Sequence, residues 1–363
     1  MKRSSARRRV VTTMAALAIS LCGAGGVAAA APLVPGQPCP SGPSAPGGPP
    51  NAPRAQLLVP IDTSTSTVIN PGVAPQISCG RVRLRTQPDV VYASPTLAGG
   101  QQLPLKMDIQ IPQTPGPKPV VIYLPGGGFG SAIKEQALDQ RTFVAESGFV
   151  VASIQYRTIA NGAKYTDGIA DIRAAVRYLR ANASRFSIDP RKVGVWGASA
   201  GGYLANMVGT TDPGGRDGAV QAVVDHFGGS DLSKLFADFD AATQHALDGP
   251  DNPIAMYVNG PGSGQSLTDN PDAVRAANPV TYVGPGDPPF LHFHGTEDRT
   301  ISPSQTLLIH NALRRAGVSS TRYVVTGGGH GEIEKANNLP AALPWTTAEV
   351  MGITVSFLRS HLR

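Results

Sequence analysis

The 363-residue chain contains few charged residues, few aromatic residues and few cysteines. Charged residues make up 15% of it, aromatic residues 6%, and there are only three cysteines. Neither Cys39 nor Cys79 has a partner at a metal-ligand spacing, which argues against a structural zinc site. No uniform stretch of about twenty strongly apolar residues is present, so the sequence predicts no ordinary membrane-spanning helix.

A basic surface is also missing, although the formal net charge is +6. Five of the 31 basic residues lie between Lys2 and Arg9, and residues 1–31 contain no acid. Without them, 26 basic residues face 25 acidic ones, which leaves a net charge of about +1. Nucleic-acid binding needs a clustered basic face, so we do not expect a nucleic-acid partner.

The N-terminal residues have the pattern of a signal peptide. A basic segment is followed by an apolar run from Val10 to Val27 and by four alanines before Pro32. We predict that residues 1–31 are removed and that the protein is secreted or held in the cell envelope, without stable membrane insertion. The alternative is an uncleaved membrane anchor, but Gly23, Gly25 and Gly26 interrupt the run.

Removal of the signal peptide leaves one pair of cysteines, Cys39 and Cys79. An even pair in an exported chain favours a disulfide, because the compartment is oxidising. The alternative is two free thiols. A disulfide here would tie residues 32–79, a segment rich in proline and glycine that we interpret as an arm or linker, to the start of the globular domain.

Residues 80–363 alternate between short apolar runs and amphipathic segments, as in an α/β domain with a mostly parallel sheet covered on both faces. The predicted strands are 81–84, 105–111, 120–124, 149–154, 192–196, 220–227, 290–293 and 321–325. The predicted helices are 133–147, 166–183, one from about 201, 303–317 and 346–362. Residues 231–285 are less regular and are interpreted as an insertion that forms a small lid.

The sequence Gly197-Ala198-Ser199-Ala200-Gly201 lies between a predicted strand and a predicted helix. In that context a Gly-x-Ser-x-Gly pattern is typical of a nucleophile elbow, a tight turn that presents the serine hydroxyl for attack. The alternative is a glycine-rich helix start with an ordinary capping serine. We predict that Ser199 is a nucleophile.

A nucleophilic serine needs a general base and an acid that orients it. His330 is the best of the seven histidines, because it lies in a glycine-rich loop directly after a predicted strand. Asp298, just past the strand at 290–293, is the predicted orienting acid, with Glu297 and Asp231 as rivals. His294 precedes the acid in the chain and is therefore not expected to be the base.

The loop Pro125-Gly126-Gly127-Gly128-Phe129-Gly130 follows the strand at 120–124. Backbone N–H groups in such a loop can approach a developing oxyanion, so Gly127 and Gly128, with Ala200, are the predicted donors. A phosphate-binding loop is less fitting, because no Gly-Lys-Ser/Thr ending or Gly-x-Gly-x-x-Gly spacing is present. Phe129 is predicted either to line an acyl pocket or simply to pack.

Together these motifs resemble the α/β-hydrolase family over about residues 104–361. The nearest branches are the hormone-sensitive-lipase-like esterases and the bacterial feruloyl- or acetyl-xylan-esterase-like group, which the stretches 171–179 and 288–295 resemble. The resemblance implies an α/β-hydrolase fold, a Ser199–Asp298–His330 triad and no need for a metal or cofactor. In this chain Pro125 stands where the family has a loop histidine thought to brace the oxyanion loop. The lipase-like branch often has aspartate where this chain has Ala198, which favours the second group.

The leading hypothesis is an exported serine esterase that cleaves small or polymer-linked carboxylic esters through an acyl-enzyme intermediate. A serine peptidase of the prolyl-oligopeptidase type has the same triad order, but such enzymes usually carry a large N-terminal propeller. The third hypothesis is a non-catalytic cell-envelope binding protein on a hydrolase scaffold. An intact triad argues against it.

Overall fold

The structure is a computed structural model that describes residues 33–43, 55–211 and 218–362. The predicted signal peptide at residues 1–31 lies outside the described residues. The described residues form a single compact unit. In the part of the chain that is described, no helix is both long and apolar enough to span a bilayer.

The strands found in the described residues form one nine-stranded sheet and one two-stranded sheet. In chain order the strands are β1 (Gln37–Pro38), β2 (Thr67–Ile69), β3 (Ser78–Cys79), β4 (Leu84–Ala93), β5 (Leu105–Pro112), β6 (Lys118–Leu124), β7 (Val150–Ile154), β8 (Ile188–Ala198), β9 (Ala222–His226), β10 (Phe290–Gly295) and β11 (Ser320–Val325). The large sheet has the order β2-β11-β10-β9-β8-β6-β7-β5-β4. Within the described part of this sheet, the β4–β5 and β5–β7 pairs are antiparallel and the other pairs are parallel.

Helices cover both faces of this sheet, which is why its central strands are apolar on both sides. They are α1 (Leu138–Glu146), α2 (Tyr165–Ala181), α3 (Ala183–Phe186), α4 (Ala200–Thr210), α5 (Ala241–Leu247), α6 (Pro253–Asn259), α7 (Pro271–Ala276), α8 (Ser304–Arg315), α9 (Glu332–Ala336) and α10 (Ala348–His361). One core cluster packs α2, α4 and α8 against the sheet, and the other packs α1 and α10. This architecture confirms the predicted α/β-hydrolase fold.

Most predicted elements are found close to their expected positions, and the exceptions have local causes. The strand predicted at 81–84 was wrong, because β4 begins at Leu84 and runs for ten residues. It contains a bulge around Pro88 and Asp89, which breaks the apolar alternation. The helix predicted from residue 133 begins only after Ala137, whose backbone is left-handed.

The segment before residue 80 contributes more ordered structure than its composition suggested. Cys39 and Cys79 form a disulfide, as predicted, and β1 pairs with β3 beside it. The short strand β2 was not predicted, and it extends the large sheet by pairing parallel to β11. This segment therefore supplies one edge of the main sheet.

The predicted insertion at residues 231–285 contains α5, α6 and α7. Two tyrosines join it to the body of the domain. The Tyr257 hydroxyl donates to the Arg157 carbonyl at 3.2 Å, and the Tyr203 hydroxyl of α4 donates to the Ala277 carbonyl at 2.8 Å. Both hydroxyl groups are buried, so the insertion packs as part of the core on the α4 side.

Candidate active site

The predicted functional residues lie at the carboxyl ends of four parallel strands, β6, β8, β10 and β11, with β9 between β8 and β10. Ligands of open α/β sheets bind at this edge, because the connecting loops converge there. Ser199 follows β8, Asp298 follows β10 and His330 follows β11. The sheet order thus brings residues that are distant in the chain to one place.

Ser199 lies in a sharp turn between β8 and α4, with φ 56° and ψ −121°. The turn is fixed by its own N–H, which donates to the His226 carbonyl at 2.9 Å. The flanking glycines are required by space: a Cβ on Gly197 would overlap the Gly201 backbone, and one on Gly201 would overlap the Leu124 carbonyl oxygen. This is the strained strand-to-helix geometry expected of a nucleophile elbow.

Ser199, His330 and Asp298 form one continuous hydrogen-bonded chain. His330 Nε2 lies 2.7 Å from Ser199 Oγ, and His330 Nδ1 lies 2.8 Å from Asp298 Oδ2. His330 and Asp298 are almost fully buried. Because the carboxylate can only accept, Nδ1 carries the proton and Nε2 is free to accept the serine proton.

The electrostatics of the pair support this arrangement. Burial opposes the charge on His330, but the nearby charge of Asp298, its hydrogen bond and the charge of Glu334 together raise the pKa of His330 above its ordinary value. Burial also opposes the charge on Asp298, yet the charge of His330 and hydrogen bonds from His294 and His330 hold the pKa of Asp298 well below its usual range. Asp298 is therefore ionised throughout the neutral range.

Backbone donors fix the other oxygen of Asp298. Its Oδ1 accepts from the N–H groups of Thr300 at 2.8 Å and Ile301 at 3.0 Å. The two rival carboxylates do not contact His330. Glu297 pairs with Arg299 and is half exposed, and Asp231 pairs with Lys234.

The glycine-rich loop after β6 is braced by the segment after β7. The Tyr156 hydroxyl donates to the Pro125 carbonyl at 2.7 Å, Thr158 Oγ1 donates to the Gly130 carbonyl at 3.2 Å, and the Ile159 N–H donates to the Phe129 carbonyl at 3.0 Å. These contacts hold the loop in place. One of them binds Pro125, the position at which the α/β-hydrolase family has its loop histidine.

The predicted oxyanion donors differ in whether they line the cavity beside the nucleophile. Within the described residues, no hydrogen bond is seen from the N–H groups of Gly127, Gly128 or Ala200 to another protein group. Gly128 and Ala200 line the same cavity as Ser199, whereas Gly127 does not. Ala200 is the first residue of α4, where a helix leaves its N–H groups without intrahelical partners.

A cavity of about 860 Å³ opens beside Ser199. The predicted pocket residue Phe129 lines it and is almost fully buried. Its ring stacks on Tyr257 of α6 at a centroid distance of 4.5 Å and meets Tyr203 edge-on at 5.3 Å. Phe129 therefore both lines the cavity and packs against the insertion.

Two residues at the site, Tyr156 and His294, were not predicted from the sequence. Tyr156 follows β7, and no local pattern links it to a glycine loop more than twenty-five residues earlier. His294 contacts Asp298, with Nε2 3.3 Å from Oδ2. Its place four residues before the acid, at a strand end, was the available signal, but it was weighed only as a possible base.

Among the described residues, no group of three or more His, Cys, Asp or Glu side chains is arranged to hold a metal ion. The site can deliver a nucleophilic oxygen, a proton acceptor and backbone donors for an anion, all beside an apolar cavity.

Comparison with known proteins agrees with this geometry. The family model BD-FAE matches residues 107–313. The curated Esterase LipC of Mycobacterium tuberculosis is 32% identical over 228 residues, which cover 59% of this chain and 53% of that protein. Esterase LipQ of the same organism is 28% identical over 58% of this chain and 49% of its own length. The chain thus spans about half the length of the curated relatives it matches.

Two solved structures show the same fold. A truncated carbohydrate esterase from gut microbiota superposes with a TM-score of 0.65 at 24% identity, over 79% of this chain and 99% of that one. The thermophilic esterase Est2 of Thermogutta terrifontis superposes with a TM-score of 0.55 at 21% identity, over 77% and 92% of the two chains.

Proposed function

The chain belongs to the BD-FAE family, and we propose that it is an exported carboxylic ester hydrolase that works through Ser199, His330 and Asp298. The observation that carries the proposal is the hydrogen-bonded chain from Asp298 through His330 to Ser199, with distances of 2.8 and 2.7 Å, beside an apolar cavity. The esterase names of the curated relatives support the same activity.

In the first half of the reaction, Ser199 Oγ attacks the carbonyl carbon of the ester while its proton passes to His330 Nε2. The carbonyl electrons move to the oxygen, and the resulting oxyanion is stabilised by backbone N–H groups at Gly128 and Ala200, with Gly127 as the third candidate donor. Collapse of this intermediate breaks the bond to the leaving alkoxide, which takes the proton from His330. An acyl group remains on Ser199.

In the second half, water attacks the acyl carbon while His330 Nε2 accepts its proton. Collapse releases the carboxylic acid and returns the proton to Ser199 Oγ. Asp298 keeps Nδ1 of His330 protonated and stabilises the imidazolium that forms in both halves. Each residue returns to its starting state, so no co-reactant other than water is consumed.

Export is supported by the N-terminal pattern of basic and apolar residues and by the Cys39–Cys79 disulfide, since disulfides persist in oxidising compartments. We propose the domain organisation accordingly: a signal peptide at residues 1–31, an arm at 32–79 and the catalytic domain at 80–363, with the insertion at 231–285.

The test is hydrolysis of p-nitrophenyl esters by the mature protein and by Ser199→Ala. Ser153→Ala is the control, because it removes the same hydroxyl from a fully buried serine on β7 that does not line the cavity, whereas Ser199 is partly buried and lines it. We expect Ser199→Ala to lose at least about 10³-fold in kcat and Ser153→Ala to stay within about twofold. A fluorophosphonate should add its phosphonyl group to Ser199, with loss of fluoride, in wild type and in Ser153→Ala but not in Ser199→Ala.

The same assay separates the competing hypotheses. A peptidase would hydrolyse peptide p-nitroanilides at a readily measured kcat/KM, whereas an esterase would hydrolyse only the esters. A folded wild-type protein that hydrolyses neither and takes up no fluorophosphonate would refute the enzyme and favour the binding protein.

A further inference from the structure

The cavity beside Ser199 is walled mostly by apolar side chains. They belong to the insertion at residues 231–285 and comprise Leu232, Leu235, Phe236, Ala246, Leu247 and Ile254. At about 860 Å³ the cavity lies near the upper end of the volumes of small-molecule sites. An acetyl group would leave most of it unfilled.

The cavity adjoins the nucleophile and the proposed oxyanion donors but not the general base. Ser199, Gly128 and Ala200 line it, and these are the attacking group and the proposed oxyanion donors. His330 does not line it. Because His330 must hand its proton to the departing alcohol, the alcohol leaves on the His330 side and the acyl group extends into the cavity.

Part of the cavity wall belongs to the arm before residue 80. Ala55 and Gln56 line it, and Ala55 is only 8% exposed. Leu57 forms an antiparallel bridge with Phe239. The Leu58 N–H donates to the Asp238 carbonyl at 2.9 Å, so backbone hydrogen bonds attach the arm to the insertion.

The same arm is anchored further along by a buried arginine on β11. Arg322 donates from Nη1 to the Asp62 carbonyl at 3.2 Å and to Ser66 Oγ at 2.6 Å. Directly after these contacts, β2 joins the sheet. The position of Ala55 in the wall is therefore set by ordered structure on its C-terminal side.

We propose that the cavity binds an apolar acyl chain of medium length, and that Ala55 of the arm is a specificity-determining residue that limits this length. The proposal rests on the esterase function proposed above. Each methylene buried in such a wall should raise kcat/KM by about fourfold until the cavity is filled.

The experiment measures kcat/KM for p-nitrophenyl acetate, butyrate, hexanoate, octanoate and decanoate with wild type, Ala55→Val and Ala55→Phe. Leu58→Phe is the matched control, because it adds the same ring to the arm at a side chain that is 62% exposed and does not line the cavity. We expect wild type to rise from acetate to at least octanoate. Ala55→Phe should lose roughly tenfold on octanoate and decanoate and less than twofold on acetate.

The outcomes separate the two proposals. If wild type hydrolyses no ester, the esterase function fails. If it is active but prefers acetate, the esterase stands and the apolar acyl pocket is overturned. Equal losses on all chain lengths, or the same profile in Ala55→Phe and Leu58→Phe, would overturn the role of Ala55. Ala55→Val provides the same comparison with a smaller change in volume, should Ala55→Phe not fold.

A second inference comes from an independent observation, the buried chain of hydrogen bonds behind Asp298. His294 Nε2 lies 3.3 Å from Asp298 Oδ2 and 3.1 Å from the Ile301 carbonyl oxygen. Both of these oxygens only accept, so Nε2 carries the proton; it donates to the Ile301 carbonyl oxygen and places its polar N–H beside the Asp298 carboxylate as a charge contact. Nδ1 then accepts from the Thr306 hydroxyl at 3.2 Å, which itself accepts from Arg322 Nε at 2.9 Å.

The side chains of this hydrogen-bonded series are shielded from solvent. His294, Thr306 and Asp298 are fully buried and Arg322 is nearly so. The other charged or titratable groups that face the Asp298–His330 pair are Glu334, which acts on His330, and Arg299, whose guanidinium donates to the Asp298 carbonyl.

We infer that His294 is a positioning residue, which holds Oδ2 of Asp298 toward His330 and shares the charge of that carboxylate. Without its donor, the charge of Asp298 would favour the imidazolium form of His330 more strongly. The acid limb of the activity profile, which reports on loss of neutral His330, would then move to higher pH.

The matched variants are His294→Asn and His294→Gln. The asparagine amide can keep the bond to Thr306 but is too short to reach Asp298, whereas the glutamine amide can replace the Nε2 donor. We expect His294→Asn to lose roughly tenfold in kcat and to shift its acid limb upward, and His294→Gln to restore both. Two variants that are merely less stable, with unshifted or downward-shifted profiles, would overturn the inference.

Discussion

Substitution of Asp298 by asparagine gives a sharp test of the triad, because the structure fixes how the new amide must orient. Oδ1 of Asp298 accepts from the N–H groups of Thr300 and Ile301 at 2.8 and 3.0 Å. Only the amide oxygen can take that position. The NH₂ group must therefore occupy the position of Oδ2, 2.8 Å from His330 Nδ1.

An amide donor at that position reverses the hydrogen bond to His330. Nδ1 must then accept, so the imidazole proton moves to Nε2, which can no longer take the proton of Ser199. In Ser-His-Asp sites this change costs roughly 10⁴-fold in kcat, or about 5 kcal/mol of barrier. The amide NH₂ would also face the N–H of His294, an unfavourable contact between two donors that should lower the stability of the variant.

The assay compares kcat of Asp298→Asn and Glu297→Gln on one ester at neutral pH. Glu297→Gln is the same chemical change one residue away, on a side chain that is half exposed and pairs with Arg299. We expect it to stay within about twofold. If Asp298→Asn kept more than a tenth of wild-type kcat while folded, or if Glu297→Gln showed the large loss, the assignment of the acid would be refuted.

Three further predictions concern stability. Gly201→Ala would push a Cβ into the Leu124 carbonyl oxygen and should cost about 1–3 kcal/mol and most of the activity, seen by thermal unfolding and ester hydrolysis; a variant with wild-type values would contradict the proposed elbow geometry. Loss of the Cys39–Cys79 disulfide, which links residues 40 apart, should cost about 4 kcal/mol in urea unfolding and leave kcat unchanged. Burial lowers the pKa of His226 to about 4. Neutral His226 therefore contributes fully to the free energy of unfolding above pH 6.5, and roughly 3 kcal/mol of that free energy is lost as the pH falls toward 4. In His226→Phe the free energy of unfolding should change less with pH over that range, as followed by urea unfolding at each pH.

The sequence predicted the central strands because their signal is local. β6, β7 and β9 are short apolar runs that the fold buries on both faces. The residues at the carboxyl ends of β6, β8, β10 and β11 could be named as candidates because parallel strands place those ends at one edge of the sheet. The strand at residues 67–69 gave no such signal, since three residues in a Ser/Thr-rich segment form a strand only through pairing with β11.

The positioning contacts were beyond the sequence for a different reason. Tyr156 donates to the Pro125 carbonyl, and Arg322 reaches Thr306, across separations that only the folded topology defines. A buried polar group must find a partner, but the sequence does not say which one. A histidine such as His294 therefore reads as an ordinary core residue until its neighbours are known.

The arm links the two inferences physically. Arg322 binds Asp62 and Ser66 of the arm through Nη1, and it binds Thr306 through Nε, so one buried guanidinium contacts both the arm and the chain that ends on Asp298. A buried guanidinium is costly unless its donors are satisfied, and the arm supplies two of the acceptors. Removing the arm would therefore remove Ala55 and Gln56 from the cavity wall. It would also leave donors of Arg322 without their acceptors. Both effects predict that a chain beginning after residue 80 would lose more activity than the loss of Ala55 alone explains.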